Sequence, residues 1–415
     1  MYTTTNSKTN ERPAAPRPSL QEVRLLVVGL GNIGRRFLQI LDQKGDHLRT
    51  RYGLSFRLVG AADSRGAAVA TAGLDLSTVV RLKEQKRSVA EYVSHGRPGT
   101  LAQQMVEQAS ADVLCEATPV NLDDGEPGLS CMRAAMRKGL HVVTANKGPL
   151  VLAYPELAAL AREQGVCLRF CGTVAGGLPA INLGQRDLAG ATIERLEAVP
   201  NLTTSFILAN VFAQRMAQGL TYEQALAAVQ AQGCAEADPS LDVEGWDAAN
   251  KLVILANSVL DVPATLKNVC VQGITGVPLA DLQDARSQGK VIKLVASAIR
   301  QAEGTEHDPR KRSYTFTVAP TLLPADHPLA RLGGQQMGIV YQTDIYGTVS
   351  ASILEKEPIP SAAAMLRDLL EYPLNNWGKP AQAPVSGASS PRNIEMIPAG
   401  HTERVPCRSS SDRMR

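Results

Sequence analysis

The sequence has few aromatic residues, no long apolar run and almost no net charge, and each deficit argues against a class of protein. Aromatic side chains make up 4% of the 415 residues, and the formal net charge at pH 7 is +3. Neither value favours a nucleic-acid-binding surface, which needs a basic patch and often interleaved aromatics. No apolar stretch approaches the roughly 18 residues of a membrane-spanning helix. We therefore expect no nucleic-acid partner and no membrane partner.

Cysteine and histidine are also scarce, with seven and six residues that are scattered along the chain. The histidines show no metal-ligand spacing. The N-terminus lacks the charged-then-apolar pattern of a secretory signal. An odd number of scattered cysteines is typical of a protein from a reducing compartment. We predict reduced thiols and a cytoplasmic location.

Composition and periodicity divide the chain into five segments. Segments 1–20 and 375–415 are poor in large apolar residues, so we interpret them as a disordered leader and tail. Alternating strand and helix patterns over 21–170 predict a Rossmann-type parallel sheet with helices on both faces. Residues 171–352 predict an α+β catalytic domain with a mostly antiparallel sheet. We expect 353–374 to return to the nucleotide-binding domain, which makes the fold class α/β with a second, α+β domain.

A glycine-rich turn stands between the first strand pattern and the first helix pattern. The turn reads Gly29-Leu-Gly-Asn-Ile-Gly34, after the apolar run 23–28 and before the helical run 35–41. The glycines of such a turn allow close approach to a pyrophosphate and close packing of helix on strand. The helix N-terminus presents unpaired N–H groups to the phosphates. We predict NAD or NADP binding by Gly29, Gly31, Asn32, Ile33 and Gly34.

The choice between NAD and NADP stays open from the sequence. A second strand over 56–62 ends at Asp63, farther than usual from the glycines because a polar segment, 43–55, intervenes. An acid at this point suits the 2′-hydroxyl of an NAD ribose. Arg65, two residues later, suits the 2′-phosphate of NADP, and it also fits a solvated loop arginine.

Two further stretches carry charged groups in places where ligands bind. Lys147 follows the strand pattern 141–144, and the carboxyl ends of parallel strands line ligand crevices. The stretch 233–251 is rich in acids and ends at Lys251, on a helix where Asp247 and Lys251 share a face. One interpretation is a solvated acidic loop with an ion pair. The other is a polar pocket that accepts an ammonium group and places a lysine for proton transfer.

Taken together, these segments resemble the homoserine dehydrogenase family over about residues 22–372, in the short form without a C-terminal ACT domain. The glycine turn and the lysine-bearing stretch carry the resemblance with four other motifs. These motifs are Glu126-Pro-Gly128, Val142–Leu150, Val174–Pro179 and Asp326–Ala330, and the most specific segment is Ala235–Lys251.

The resemblance implies the NAD(P)-dependent interconversion of L-homoserine and L-aspartate 4-semialdehyde, a step of threonine and methionine biosynthesis. It implies a homodimer formed through the sheet of the second domain. Lys251 is expected to donate and accept the proton, because an ammonium stabilises the developing alkoxide and then protonates it. The expected site is catalytic Lys251, Asp247 and Lys147; substrate-binding Glu236, Asp242 and Thr203; and cofactor-binding Thr118, Lys147 and Gly233 in addition to the glycine turn, Asp63 and Arg65.

Three departures from the family pattern lie near this expected site. The resemblance implies a structural monovalent cation on the backbone carbonyls of Val174, Gly176 and Leu178, but Cys171 replaces its glutamate ligand. Leu202 replaces a glycine, and the segment 354–360 replaces a glycine-rich turn. These departures keep two alternatives open: a paralogous dehydrogenase for a related amino acid or aldehyde, and a cofactor-binding paralogue without catalysis.

Overall fold

A computed structural model describes residues 20–208, 239–301, 313–355 and 359–374. The first sheet has seven strands in the order β4-β3-β2-β1-β5-β6-β7. Its strands are β1 Gln21–Val28, β2 Leu54–Asp63, β3 Gly66–Val69, β4 Gly96–Pro98, β5 Val113–Glu116, β6 His141–Thr144 and β7 Leu168–Arg169. Strands β2, β1, β5, β6 and β7 are parallel, whereas β3 and β4 are antiparallel additions. The strand order reverses between β1 and β5, where open α/β sheets bind ligands.

Helices cover both faces of this sheet, as predicted. They are α1 Asn32–Tyr52, α2 Leu76–Glu84, α3 Ala102–Gln108, α4 Gly128–Arg137 and α5 Lys147–Glu163. Successive side chains of β1 point to opposite faces. Leu25 therefore packs in one apolar cluster with Phe37 of α1, and Leu26 packs in another with Met132 of α4. The sheet is buried on both sides, which explains the continuous apolar runs of its strands.

The second sheet has six strands in the order β13-β12-β8-β10-β11-β9. They are β8 Ile193–Val199, β9 Val269–Val271, β10 Lys290–Arg300, β11 Tyr314–Pro324, β12 Gln336–Thr343 and β13 Gly347–Leu354. All neighbours are antiparallel except β11 and β9. The helices of this region are α6 Ala180–Asn182, α7 Leu202–Phe206, α8 Ser240–Val243, α9 Trp246–Ser258 and α10 Leu279–Ser287, and a π-helical turn Leu183–Asp187 follows α6.

Helix α9 is the central element of the second region because it packs between the sheet and the nucleotide-binding region. Its residues Leu252–Ala256 are all fully buried, in the same cluster as Leu294 of β10 and Leu150 of α5. The last helix, α11 Ile359–Leu374, packs Ala362 and Met365 into the cluster that holds α1. The predicted domain boundaries stay a prediction.

Several local predictions were wrong. The polar segment 43–55 belongs largely to α1, which buries Leu48 and ends at the left-handed Gly53. Helix α5 has two parts that meet at a kink at Ala153, so Pro155 lies in the first turn of the second part, and the part that begins at Lys147 precedes it. Strand β10 was missed because a central strand that is buried on both faces shows no alternation. Cys115, Cys131, Cys167 and Cys171 are free thiols as expected, but Cys270 is disulfide-bonded.

Within the described ranges, none of the helices combines the length and the apolar character that crossing a membrane requires. The predicted leader, up to residue 19, and the predicted tail, 375–415, lie outside the described residues.

Candidate active site

The glycine turn gives each of its three glycines a different role. A Cβ on Gly29, whose φ is +87°, would lie 2.4 Å from the backbone of Ala117 and Thr118. A Cβ on Gly34 would lie 1.9 Å from the carbonyl oxygen of Gly29, so this glycine lets α1 pack against the turn. Gly31 has no atom within 4 Å of the corresponding point. The open space at Gly31 is where a pyrophosphate can approach the backbone.

The N-terminus of α1 is open to an anion. Helix α1 begins at Asn32, and its N-cap residue is Gly31, which has no side chain to accept a hydrogen bond from the first N–H groups. Asn32 is exposed, and Ile33 packs against the core that holds α1. The unpaired N–H groups and the helix dipole favour a phosphate at this end.

Thr118 lies just past the end of β5 and is connected to the next strand end by hydrogen bonds. Its backbone N–H donates to Oε1 of Glu116 at 2.8 Å, and its hydroxyl donates to the same oxygen. Asn146 Nδ2 donates to Thr118 Oγ1 at 3.1 Å. Asn146 also caps α5 by accepting from the N–H of Gly148 at 3.0 Å. Thr118 is thus connected to the residue that precedes Lys147.

Lys147, Asp247 and Lys251 form one buried charged cluster. Lys147 is the first residue of α5, and its Nζ donates to Oδ1 of Asp247. Lys251 Nζ donates to the other oxygen, Oδ2, at 2.7 Å. The side chains are 20%, 8% and 14% exposed in the order Lys147, Asp247 and Lys251. The cluster therefore joins α5 of the first region to α9 of the second.

The start of α9 explains how Asp247 reaches this place. Gly245 precedes the helix with φ +91°, and a Cβ there would press on Val271 and Val318 at 3.2 Å. Asp247 then stands in the first turn, where a carboxylate is favoured by the helix dipole. Lys251 follows one turn later on the same face.

The two lysines determine the charge of Asp247. Burial alone raises the pKa of this carboxyl, but the positive charges of Lys251 and Lys147 outweigh burial, and the pKa is held far below its usual range. Asp247 is therefore an anion at neutral pH. The cluster carries one negative charge between two ammonium groups.

Pro200 and Asn201 hold the second side of the cluster. Lys251 Nζ donates to the carbonyl oxygen of Pro200 at 2.7 Å. Asn201 Nδ2 donates to Asp247 Oδ2 and to Asp242 Oδ1, both at 2.7 Å. Thr203 lies half-buried in α7, close in sequence to Asn201. An ammonium group has three N–H donors, so two of those of Lys251 are used and one can serve a substrate oxygen.

Asp63 lies at the end of β2, where its carboxylate accepts four hydrogen bonds from the protein. Oδ1 accepts from Arg65 N at 3.0 Å and Ser88 Oγ at 2.7 Å. Oδ2 accepts from Lys83 Nζ at 2.6 Å and Val89 N at 2.9 Å. Burial raises the pKa of Asp63, but these donors outweigh burial and the pKa is lowered. A ribose hydroxyl that binds Asp63 has to share or displace one of these donors.

Arg65 is more available than Asp63. Its side chain is 56% exposed. Its guanidinium donates to the carbonyl oxygen of Lys86 at 3.1 Å and lies 3.8 Å from Glu91. The roles of Asp63 and Arg65 toward the ribose stay predictions.

The residue at position 171 does not fit the ligand set of the predicted monovalent cation. Cys171 is buried, and its Sγ donates to Oδ1 of Asn182 at 2.7 Å. Burial raises the pKa of this thiol well above its usual range, so no anion replaces the family's carboxylate here. The carbonyl oxygen of Leu178 already accepts from Ala180 N at 2.8 Å. The described residues hold no group of three or more His, Cys, Asp or Glu side chains fit to bind a metal. The carbonyl ligands of Val174 and Gly176 stay predictions, and no chemical step is assigned to a cation.

Glu355 is a buried carboxyl group in the segment 354–360, where the resemblance implies a glycine-rich turn. Its carboxylate is buried, and a Cβ on Gly176 would lie 2.2 Å from Oε2. Gly177 N and Ser361 Oγ donate to it at 3.4 and 3.3 Å. Burial raises the pKa of Glu355, and the charge of Lys251 opposes this effect. Residues 356–358 of this segment lie outside the described residues.

The structure brings together Thr118, Lys147, Asp242, Asp247 and Lys251, which the sequence analysis proposes from three separate stretches. Glu236 and Gly233 lie outside the described residues. Sequence reasoning missed the supporting groups Glu116, Asn146, Pro200 and Asn201. A polar residue at the end of an apolar strand was the available signal for Glu116, and the capping position before Lys147 was the signal for Asn146.

Two family models match the chain. The model described as "Homoserine dehydrogenase, NAD binding domain" matches residues 29–170, and the model described as "Homoserine dehydrogenase" matches residues 179–370. The chain is 35% identical over 352 residues to an NAD(+)-dependent homoserine dehydrogenase of Pseudomonas canavaninivorans, which covers 85% of this chain and 96% of that protein.

Solved structures give the same result. A putative homoserine dehydrogenase from Archaeoglobus fulgidus superimposes with a TM-score of 0.72 at 33% identity, over 84% of this chain and 98% of that one. A hyperthermophilic archaeal homoserine dehydrogenase mutant, solved in complex with NADPH, superimposes with a TM-score of 0.71 at 25% identity, over 86% and 98% of the two chains.

Proposed function

The chain belongs to the homoserine dehydrogenase family, and on this premise we propose that it interconverts L-homoserine and L-aspartate 4-semialdehyde, with Lys251 as the proton donor and acceptor. It is an NAD(P)-dependent oxidoreductase that acts on a CH–OH group. The observation that carries the proposal is the cluster of Lys147, Asp247 and Lys251 beside the strand ends of the nucleotide-binding sheet.

When it is bound, NAD or NADP supplies the hydride chemistry. The residues of the chain have to position the substrate and manage one proton. In the reducing direction the aldehyde oxygen gains negative charge. The third N–H of Lys251 donates a proton to this oxygen. In the oxidising direction the neutral amine of Lys251 accepts the hydroxyl proton. The carbonyl of Pro200 and the carboxylate of Asp247 keep Nζ in one place through both directions.

Asp247 orients both lysines and neutralises one of their charges. One oxygen binds Lys147 and the other binds Lys251, so the carboxylate fixes the separation of the two ammonium groups. Lys147 keeps donors for the substrate or the cofactor, because an ammonium has three N–H groups. We assign Lys147 to holding a polar group of the substrate beside the reacting oxygen.

Acidic groups beside this cluster suit the ammonium of an amino acid. Among the described residues, the Asp242 carboxylate accepts one hydrogen bond, from Asn201, and it has capacity for further donors. We assign Asp242, Glu236 and Thr203 to substrate binding, with Glu236 outside the described residues. We assign Thr118 and Gly233 to the nicotinamide side of the site, where the strand-end position of Thr118 supports its role.

The proposal is tested with homoserine and either oxidised cofactor, by following NADH or NADPH at 340 nm. The wild type is expected to turn over homoserine, and the ratio of kcat/KM for the two cofactors measures their preference. Lys251→Met keeps the apolar stem and removes the ammonium, so we expect kcat to fall by about 10²–10⁴-fold.

Two results would overturn the proposal. Turnover of another amino alcohol or aldehyde in preference to homoserine would identify a paralogous dehydrogenase. Cofactor binding without turnover of any substrate would identify a non-catalytic paralogue. Retained turnover in Lys251→Met would remove the proton-transfer role of this residue alone.

We also propose a homodimer that forms through the outer face of the second sheet, the face turned away from α9. The apolar residues of this face, Val199, Val295 and Val340, are already buried beneath Leu329 and Leu332. The assignment is therefore supported by the uncovered neighbouring strand β13, where the side chains of Ser350 and Ser352 are small and exposed. Light scattering coupled to size exclusion is expected to give the mass of a dimer, and arginine at both serine positions is expected to give a monomer. A monomeric wild type would contradict the assignment. A cytoplasmic location stays a prediction.

A further inference from the structure

Glu116 is a buried carboxyl group that the proton-transfer scheme does not use. It stands at the carboxyl end of β5, beside the point where the strand order reverses, and it is fully buried. Its hydrogen bonds come from neutral groups of three residues: Thr118, Thr144 and Asn146. Burying a carboxyl group is costly unless hydrogen bonds compensate it. Such a group is therefore expected to serve a purpose that an apolar residue cannot serve.

The hydrogen bonds of Glu116 reach both strand ends that line the site. Oε1 accepts from the N–H and the hydroxyl of Thr118, and Oε2 accepts from Thr144 Oγ1 at 2.6 Å. Thr144 Oγ1 in turn accepts from Asn146 N at 2.9 Å. Asn146 Nδ2 points back to Oε1 at 3.4 Å and to Thr118 Oγ1 at 3.1 Å. One side chain thus connects Thr118 to the turn that carries Lys147.

Neighbouring glycines show how closely this network is packed. A Cβ on Gly128 would lie 2.9 Å from Asn146 Nδ2 and 3.1 Å from Glu116 Oε1. On the other side of Thr118, a Cβ on Gly29 would lie 2.4 Å from its backbone nitrogen. The network around Glu116 is therefore packed tightly against two motifs, Glu126-Pro-Gly128 and the first glycine of the cofactor turn.

We propose that Glu116 is a positioning residue, which holds Thr118 and Lys147 at a fixed separation and so aligns the cofactor side of the site with the cluster of Lys147, Asp247 and Lys251. The inference rests on the proposed function. The carboxylate touches neither the substrate nor the transferred proton. Its contribution is geometric, because hydride transfer depends strongly on the distance and orientation of the reacting groups.

The substitution Glu116→Gln tests this inference with almost no change of volume. In one orientation the new NH₂ group faces the N–H and hydroxyl of Thr118, which are donors. In the other it donates to Thr144 Oγ1, whose own hydroxyl then loses the acceptor it has in Glu116 Oε2. Either orientation breaks part of the network. We expect kcat to fall about 10–100-fold, since small misplacements can cost this much, while the dissociation constant of NADH changes less than about threefold.

The kinetic isotope effect with NADH deuterated on the transferred hydrogen separates positioning from general damage. Misalignment slows hydride transfer itself, so the isotope effect on kcat is expected to rise in Glu116→Gln. Asp368→Asn is the matched control, because Asp368 is also a buried carboxyl that accepts from a backbone N–H. The control is expected to keep the kcat and the isotope effect of the wild type. If Glu116→Gln does not fold, Glu116→Asp, which keeps the carboxyl group but shortens its reach, is expected to show the same fall in kcat with little change in the dissociation constant of NADH.

Three results would overturn the inference: a wild-type kcat and isotope effect in Glu116→Gln, a weaker NADH affinity with unchanged kcat, or an equal loss in Asp368→Asn. Wild-type turnover of homoserine tests the proposed function independently. The inference is judged by the ratio of variant to wild type, measured with whichever substrate the wild type turns over. Failure of the proposed function would appear in the substrate preference of the wild type, whereas failure of the role of Glu116 would appear in the ratio of variant to wild type.

Discussion

Replacing Asp247 by asparagine should damage both stability and catalysis, because it removes the one carboxylate between two buried ammonium groups. At an effective dielectric constant of about 20, charges 2.7 Å apart interact with about 6 kcal/mol. Desolvation of the charges offsets part of this attraction, and removing one partner of a buried pair usually costs about 3–5 kcal/mol. We expect Asp247→Asn to lower the free energy of unfolding by this amount at pH 7.

The catalytic loss follows from the lost orientation of the lysines. Asparagine can still accept one hydrogen bond, but it cannot attract Lys147 and Lys251 as an anion does. We expect kcat/KM for homoserine to fall about 10²–10⁴-fold, which corresponds to about 3–5 kcal/mol of transition-state stabilisation. Steady-state assays and urea unfolding on the same preparation give both quantities.

The pH dependence of the stability loss has a definite sign. The folded-state pKa of Asp247 lies below its unfolded value. Its contribution is therefore fully present above the unfolded pKa, near 4, and is lost as the pH falls toward the folded pKa. The gap in unfolding free energy between wild type and Asp247→Asn should narrow below pH 4.

A control and a refuting result complete the test. Asp112→Asn removes a partly exposed partner of Arg24 outside the candidate site, and it is expected to cost about 1 kcal/mol with full activity. If Asp247→Asn kept kcat/KM within threefold of the wild type, the assignment of this carboxylate to orienting the two lysines would be wrong.

Two further predictions concern the glycine turn and a buried acid. Gly31→Ala should raise the dissociation constant of NADH by about tenfold or more with little change in Tm, because the new Cβ fills the space through which the phosphates approach. Gly34→Ala should lower Tm strongly, because its Cβ would lie 1.9 Å from a carbonyl oxygen. Equal effects of the two substitutions on NADH binding and on Tm would contradict these roles. Burial raises the pKa of Asp368 from 3.8 to about 6, so its folded form holds a proton that the unfolded chain releases. The stability of the wild type should therefore fall by about 2 kcal/mol as the pH rises from 4 to 6. Urea unfolding of Asp368→Asn should lack this fall, and an unchanged pH dependence would exclude Asp368 as its source.

The fold class and the main chemical groups can be predicted from the sequence, because they depend on local patterns. A strand, three spaced glycines and a helix identify the cofactor turn within a dozen residues. Asp247 and Lys251 share a helix face through a spacing of four. From the sequence alone, the stretch 233–251 is compatible with a solvated acidic loop. The burial of the Asp247 and Lys251 side chains excludes that interpretation for these two residues.

The way in which these groups are combined depends on contacts between distant parts of the chain. Lys147 and Asp247 are 100 residues apart, and only the packing of α5 against α9 brings them into contact. Pro200 and Asn201 hold the cluster through a carbonyl and an amide, whose roles no local pattern reveals. The network of Glu116 likewise connects strand ends that lie 28 residues apart. Sequence patterns report which groups a helix or strand presents, whereas partners across elements depend on packing that only the folded chain provides.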